Sequence, residues 1–356
     1  MEVKINWFKP FKKFKSFKSS EKPPARFEPI ERLERFELVQ EIMDYTTLGK
    51  TGLKVSVAGL GCGGPSRLGL RGGAGAEQHA VRLIKQALDL GVNFLDTAQS
   101  YDTEGIVGTA IAGSPRDRVV ISTKKTLPTP DCADPEKEIA AGLEQSLKLL
   151  GTDYIDVYHL HGVEPKDYPF AQDRLIAPMQ RLKEQGKIRL VGVTEGFVVD
   201  TAHTMLQDSL KKNLWDVVMV GFNLLNPSAR QTVFPLTLKA GVGVLDMFVV
   251  RRALSQPKRL KEMCAELVAK GVLARGSIDV SDPLGFLLKE TDAATLPEAA
   301  YRFCRHERGV DVVLTGTGNP DHLKENIAAI LKSPLPEPAL AKLGALFGAL
   351  DSLTGN

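Results

Sequence analysis

The chain has 356 residues, with 46 Lys and Arg against 43 Asp and Glu, a formal charge of +3. At 43% hydrophobic and 25% charged residues it sits at globular averages, which argues against a disordered, fibrous or nucleic-acid-binding protein. A polar, Lys-rich start and the lack of any long apolar run argue against a secretion signal or a membrane span. Cys62, Cys132, Cys264 and Cys304 are scattered without a C-x-x-C pair, so they read as reduced thiols of a cytoplasmic protein with no metal site.

Residues 1–43 form a candidate extension ahead of a single domain over 44–356. Residues 1–22 carry seven Lys and two Glu, net +5, which leaves the remainder at −2. Phe8, Phe11, Phe14 and Phe17 recur every third residue among these lysines. Lysines add attraction near an anionic surface and aromatics enter the interface, so the segment is a candidate for peripheral membrane or protein contact. Pro10 interrupts an early helix, and an extension packed on the domain or partly disordered is the alternative.

From residue 45 the pattern alternates between short β-rich apolar runs and amphipathic stretches. Strand candidates are 55–61, 92–97, 118–123, 154–160, 188–194, 216–222, 242–248 and 310–316. Helical patterns lie between them at 77–91, 135–151 and 175–187, several stopped by glycine. Near-continuous Val, Ile and Leu suit parallel strands covered on both faces. Eight such units predict an α/β fold of the (β/α)₈ barrel type, with 251–294 as a long loop and 336–353 as a closing helix. A doubly wound sheet is the structural rival. Gly59, Gly61 and Gly64 spell G-x-G-x-x-G after a strand, but a Gly- and Arg-rich loop comes next where a dinucleotide-binding turn would open a helix.

In a barrel, chemistry gathers at the C-terminal ends of strands. There the sequence puts Asp96 and, five residues on, Tyr101; then Lys124 and Lys125; then His159 and His161. Singly, each has an ordinary explanation as a turn cap, loop aromatic, solvated lysine or satisfied histidine. Together they bring a carboxylate, a phenol, an ammonium and an imidazole to three neighbouring strand ends. A phenol ordinarily titrates near 10, and a nearby ammonium lowers it toward useful proton exchange. Asp96 is the natural counter-charge for Lys124, and His161 can hydrogen-bond a substrate oxygen.

These segments resemble the aldo-keto reductases. The resemblance runs through LGKTGLKVSVAGLGCGG, GVNFLDTAQSYDTEGIVG, RVVISTKK, LGTDYIDVYHLHG, LKEQGKIRLVGVTEG, GFNLLN and GTGNPDHLKENI, in the family's order. It implies a (β/α)₈ barrel and interconversion of a small-molecule carbonyl (aldehyde, ketone or aldose) with its alcohol by a nicotinamide cofactor. It also implies Tyr101 as general acid/base, Lys124 and Asp96 tuning it, and His161 orienting the carbonyl; the family's STK pattern falls on Lys124 rather than Lys125. On the cofactor side it implies contacts from Thr194, Glu195, Phe248, Gly316, Thr317, Gly318, Asn319, His322, Glu325 and Asn326.

The chain departs from the pattern where the family has Ser-Asn, since Thr194-Glu195 stands there and an ionised Glu195 can only accept hydrogen bonds. Met219 and Met247 replace other usual residues. The resemblance favours NADP(H), with NAD(H) left open because His322 stands where many members place a basic residue. A regulatory or sensor protein with the same fold is one alternative function. A barrel enzyme using Lys124 as a Schiff base is another.

Overall fold

The computed structural model describes residues 43–356; the N-terminal segment, and with it the expected contact through residues 1–22, lies outside the described residues. A hairpin comes first. Strand β1 (Tyr45–Thr47) pairs antiparallel with β2 (Lys54–Ser56) around the turn LGKTG. Its apolar side chains Leu48, Leu53 and Val55 are buried against Phe94, Val120, Val157, Val217 and Leu245. The hairpin thus plugs one end of a strand barrel.

Eight parallel strands close that barrel: β3 (Ala58–Gly61), β4 (Phe94–Asp96), β5 (Val120–Thr126), β6 (Ile155–Val163), β7 (Ile188–Glu195), β8 (Val217–Gly221), β9 (Gly243–Met247) and β10 (Val312–Thr315). β10 pairs back onto β3, which rules out the open doubly wound sheet. Strand parity explains the near-continuous apolar runs. On β7, Leu190 joins the inner cluster while Val191 and Val193 join the outer one beneath the helices. Each such fully buried side chain contributes about 1.5–3 kcal/mol.

The helices obey their sequence signals. Pro135–Leu150 opens with Asp134 accepting from the Lys137 N–H at 2.9 Å and stops at Gly151, φ +64°. Two sequence expectations are corrected. The run 55–61 is not one strand, because Ser56 Oγ donates to the Ala58 carbonyl at 2.7 Å and the chain changes partners at Val57. The segment 251–294 is not a plain loop; it holds helices Arg252–Ser255, Pro257–Ala269 and Gly285–Lys289. The second of these buries Leu260, Met263, Cys264 and Leu267 along one face, a helical spacing already present in the sequence. Helical structure also begins at Tyr168, so Tyr168 is buried, and Phe222 is sandwiched by Phe234 and Phe303.

Among the described residues no helix is long and apolar enough to cross a membrane. All four thiols are free.

Candidate active site

The strand ends of β4, β5 and β6 bring the predicted residues together. Asp96 ends β4 opposite Ser122 of β5, and Lys124 lies two residues further along the same inward side. The Lys124 ammonium is fully buried and reaches back. It donates to Asp96 Oδ1 and Oδ2, both at 2.7 Å, and to the Thr97 carbonyl at 2.7 Å. All three of its protons are therefore used, and Ser122 Oγ adds a further bond to Asp96 at 2.8 Å. Burial alone would lower this ammonium, but the charge and hydrogen bonds of Asp96 oppose it, and the ammonium is held raised. A Schiff-base nucleophile needs the free amine, so this environment argues against that role. Lys125, one residue on, turns instead to Glu138 at 3.2 Å.

After β4 a short 3₁₀ turn, Gln99–Tyr101, carries the tyrosine back over the mouth. Its ring lies 5.1 Å from Lys124 Nζ and meets the His161 ring edge-on at 5.4 Å. Tyr101 Oη is 3.3 Å from His161 Nε2, and His161 Nδ1 is 3.4 Å from Ser100 Oγ. Burial raises the phenol above its ordinary value, and the Lys124 charge offsets this only in part. The expected lowering by Lys124 is thus present but does not win, so the phenol is held protonated. Burial, helped by the same ammonium, brings His161 down to about 3, which leaves it a neutral imidazole. Four groups have converged into a charged pair, a neutral acid and a neutral hydrogen-bonding ring.

The predicted cofactor residues divide. Phe248, just past β9, is 37% exposed in a left-handed backbone, φ +70°, with the Arg251 guanidinium 4.1 Å over its ring. Asn223 Nδ2 holds the Phe248 carbonyl at 3.3 Å. Thr194 is buried, its Oγ1 accepting from the Gly162 N–H at 2.7 Å. Glu195 departs most from expectation. It keeps the outward parity of Val191 and Val193 and is 2% exposed. Its Oε1 accepts from the Gly221 N–H at 2.7 Å, and both oxygens lie within 3.0 Å of His203 Nδ1. A carboxylate so engaged leaves nothing for a ligand at the mouth; burial raises it, against the pull of His203. Sequence reasoning misses His203, whose only signal is a histidine eight residues past an unexpected acid.

At the far side, Gly316, Thr317, Gly318 and Asn319 form the turn into the helix Pro320–Leu331. Asn319 caps it, Oδ1 accepting from the Asp321 N–H at 2.8 Å. His322 and Glu325 are exposed on its first turns. Asn326 is drawn inward, donating from Nδ2 to Thr315 Oγ1 at 2.8 Å.

A nicotinamide dinucleotide needs an aromatic face and cationic or N–H donors for phosphate. The half-buried Arg251 has no carboxylate partner among the described residues, and its Nη1 is buried without any hydrogen bond. An orphaned guanidinium nitrogen beside an exposed ring is what an anionic, ring-bearing ligand would satisfy, so the residues fit the group.

Comparison with known proteins places the fold and the family. The model of the aldo/keto reductase family matches residues 60–346. An uncharacterized oxidoreductase of Bacillus subtilis, YqkF, is 27% identical over 305 residues, covering 83% of this chain and 94% of that protein. The L-galactose dehydrogenase of Arabidopsis thaliana is 25% identical over 331 residues, covering 88% and 97%. Among solved structures, the holo form of an aldo-keto reductase from Bacillus halodurans superposes with a TM-score of 0.65 at 26% identity, over 86% of this chain and 97% of that one. With its closed barrel and its family match across most of its length, the chain belongs to the aldo/keto reductase family of oxidoreductases.

Proposed function

We propose that the chain interconverts a small carbonyl and its alcohol, with Tyr101 as the general acid/base and a nicotinamide cofactor, NADP(H) in preference to NAD(H). The observation that carries this is the half-buried Tyr101 hydroxyl, 3.3 Å from His161 Nε2 and beside the saturated Lys124–Asp96 pair. When bound, the cofactor supplies the hydride in reduction and accepts it in oxidation. Phe248 would hold its nicotinamide face, and Arg251 with the Gly316–Asn319 turn would hold its phosphates. His322 and Lys324 would be the basic groups offered to its adenosine end.

In reduction the carbonyl oxygen accepts hydrogen bonds from the Tyr101 hydroxyl and His161 N–H. As charge grows on that oxygen, Tyr101 gives up its proton to it. The resulting phenolate is stabilised by the Lys124 ammonium 5.1 Å from the ring, and Asp96 keeps that ammonium charged and in place. His161 stays neutral throughout, so it orients the oxygen without competing for the proton. In oxidation the phenolate takes the alcohol proton back.

The test is absorbance at the nicotinamide band with NADPH and NADH separately against aldehydes, quinones and aldoses, with Tyr101→Phe alongside. Turnover that falls by about 100-fold or more in the variant supports the proposal. The occupied Glu195 favours one second reading, a cofactor-binding regulator, because the chain lacks the free amide of the family's Ser-Asn pair. Tight NADPH binding without turnover of any carbonyl would decide for it.

A further inference from the structure

Arg67 lies outside the tetrad and the cofactor residues, in the Gly- and Arg-rich loop after β3. We propose that Arg67 is a positioning residue that fixes Tyr101 over the mouth, and that its loop ties this placement to the Gly316–Asn319 turn. The proposal rests on the carbonyl-reductase reading and deepens it.

The 3₁₀ turn that delivers Tyr101 is only three residues long. Its own bonds are Tyr101 N–H to the Ala98 carbonyl at 3.0 Å and Asp102 N–H to the Gln99 carbonyl at 3.3 Å, after which the chain swings left-handed at Asp102, φ +55°. So short a turn constrains the direction of its last residue weakly. Arg67 supplies the constraint: Nη2 donates to the Tyr101 carbonyl at 2.6 Å and lies 3.3 Å from Asp102 Oδ2. The Asp102 carboxylate is 81% exposed, so the bond to the carbonyl is the one that counts. A charge-assisted bond to a main-chain oxygen fixes the residue itself, not merely its side chain.

The same loop touches the ring. A Cβ on Gly63 would fall 2.3 Å from two Tyr101 ring carbons, so the ring lies against bare backbone there. The loop is also strained where it serves Arg67. Arg67 and Leu68 both have positive φ, +37° and +55°, conformations that L residues adopt only when their surroundings overdetermine them. Leu68, fully buried, is the anchor.

The loop's other end meets the predicted phosphate turn. A Cβ on Gly318 would come 2.5 Å from Gly69 N, and His79 Nε2 donates to the Gly318 carbonyl at 2.7 Å. The loop thus abuts Tyr101 through Gly63 and Arg67 and Gly318 through Gly69, and His79, from the helix Ala76–Asp89 that the loop leads into, holds the Gly318 carbonyl.

The experiment compares wild type, Arg67→Ala, Arg67→Lys and His79→Ala, with and without Tyr101→Phe, after thermal melts confirm folding. Misplacing a reacting group by about 1 Å can cost on the order of 100-fold. Arg67→Ala should therefore lower kcat roughly 10- to 100-fold with KM for the carbonyl changed less than about threefold. In the Tyr101→Phe background the same substitution should cost less than about twofold more, because both changes act on one group. Arg67→Lys, which keeps one point donor but loses the fork, should recover part of the loss.

An ultraviolet titration of the phenol, taken as the difference from Tyr101→Phe, should move toward the ordinary tyrosine value in Arg67→Ala. A kcat within about twofold of wild type, or an equal loss in both backgrounds, overturns the positioning role. His79→Ala should lower kcat at saturating NADPH, and an unchanged kcat there overturns the link between the loop's two ends. If Tyr101→Phe itself retains full turnover, the acid/base reading falls, and the titration alone decides the clamp: a shift supports it, no shift removes it.

Discussion

The two ends of this barrel use buried charge in opposite ways. Near the strand starts, carboxylates close the ladder by accepting from cations and main-chain N–H groups. Asp156 accepts from Arg116, from the Ile121 N–H and from Arg189, at 2.7, 2.9 and 2.8 Å. Asp216 accepts from Lys183 and the Val191 N–H, and Asp311 from the N–H groups of Gly49 and Val244. Around the mouth, donors stay unmet. Among the described residues Arg67 Nε and Arg251 Nη1 are buried without hydrogen-bond partners, and Arg67, Leu68 and Phe248 hold positive φ. The Lys124–Asp96 pair is the exception, since its job is to remain charged. Strain and unmet donors cost stability wherever they sit; Trp215 Nε1 and Arg305 Nε, near the strand starts, are unmet too, so it is the positive φ values that gather where a ligand or a reaction would use them.

The sharpest way to break that contrast is one substitution at each end. Tyr101→Phe removes the proton carrier and should lower kcat by about 10²–10⁴-fold, the range for general acid catalysis, with little change in melting temperature. Asp156→Ala should do the reverse. It strips the partners of Arg116, Arg189 and a buried N–H, and should cost about 3 kcal/mol of stability in denaturant unfolding, with kcat per folded molecule unchanged. A loss of turnover in Asp156→Ala beyond its unfolded fraction would show that the two ends are not separable.

How far the sequence alone reaches depends on the same division. The strands are legible because side chains buried on both faces are apolar at nearly every position, and the tetrad positions because they share strand ends. The break at Val57 is not legible, since it depends on a Ser56 side-chain bond that no periodicity encodes. Motif matching points Glu195 toward the cofactor because it carries identity but not parity; on β7 an odd position faces the helices, where His203 meets it. The net pKa of Tyr101 is likewise out of reach, because it balances burial against one ammonium and only the folded chain sets the burial.

The open groups at the mouth predict intermediate effects. Removing the Arg251 guanidinium, whose Nη1 lacks a partner while Nε donates to Asn356 Oδ1 at 3.0 Å, should in Arg251→Ala raise the NADPH dissociation constant about 10- to 100-fold, as expected for a charged hydrogen bond of about 1.5–3 kcal/mol, with only a small shift in the melt of the free protein. Unchanged NADPH affinity in a fluorescence titration would remove Arg251 from the site. Because His161 titrates at about 3, the rate of reduction should be flat through about pH 6–8, with no imidazole limb. A break near the ordinary histidine value of about 6.5 would show that His161 exchanges protons.

The smallest effect concerns Asp246, a buried acid nearer the mouth that lacks the full set of partners found at the base. Its Oδ1 accepts from the Phe222 N–H at 3.1 Å, while Oδ2 is buried with no partner meeting hydrogen-bond geometry. Burial holds this carboxyl well above the ordinary aspartate range, despite the pull of Cys304 and the Phe222 N–H. A raised folded-state value means that the native chain binds the proton more tightly than the unfolded chain. Its contribution to stability is therefore complete below the ordinary value and is lost as pH rises through the raised one. Asp246→Asn removes this dependence while keeping an acceptor for the Phe222 N–H. The melting temperature of the variant minus that of wild type should accordingly grow from about pH 5 to about pH 8. A difference that stays constant, or shrinks, would mean that Asp246 is as well satisfied as Asp156 and that the contrast between the two ends stops short of β9.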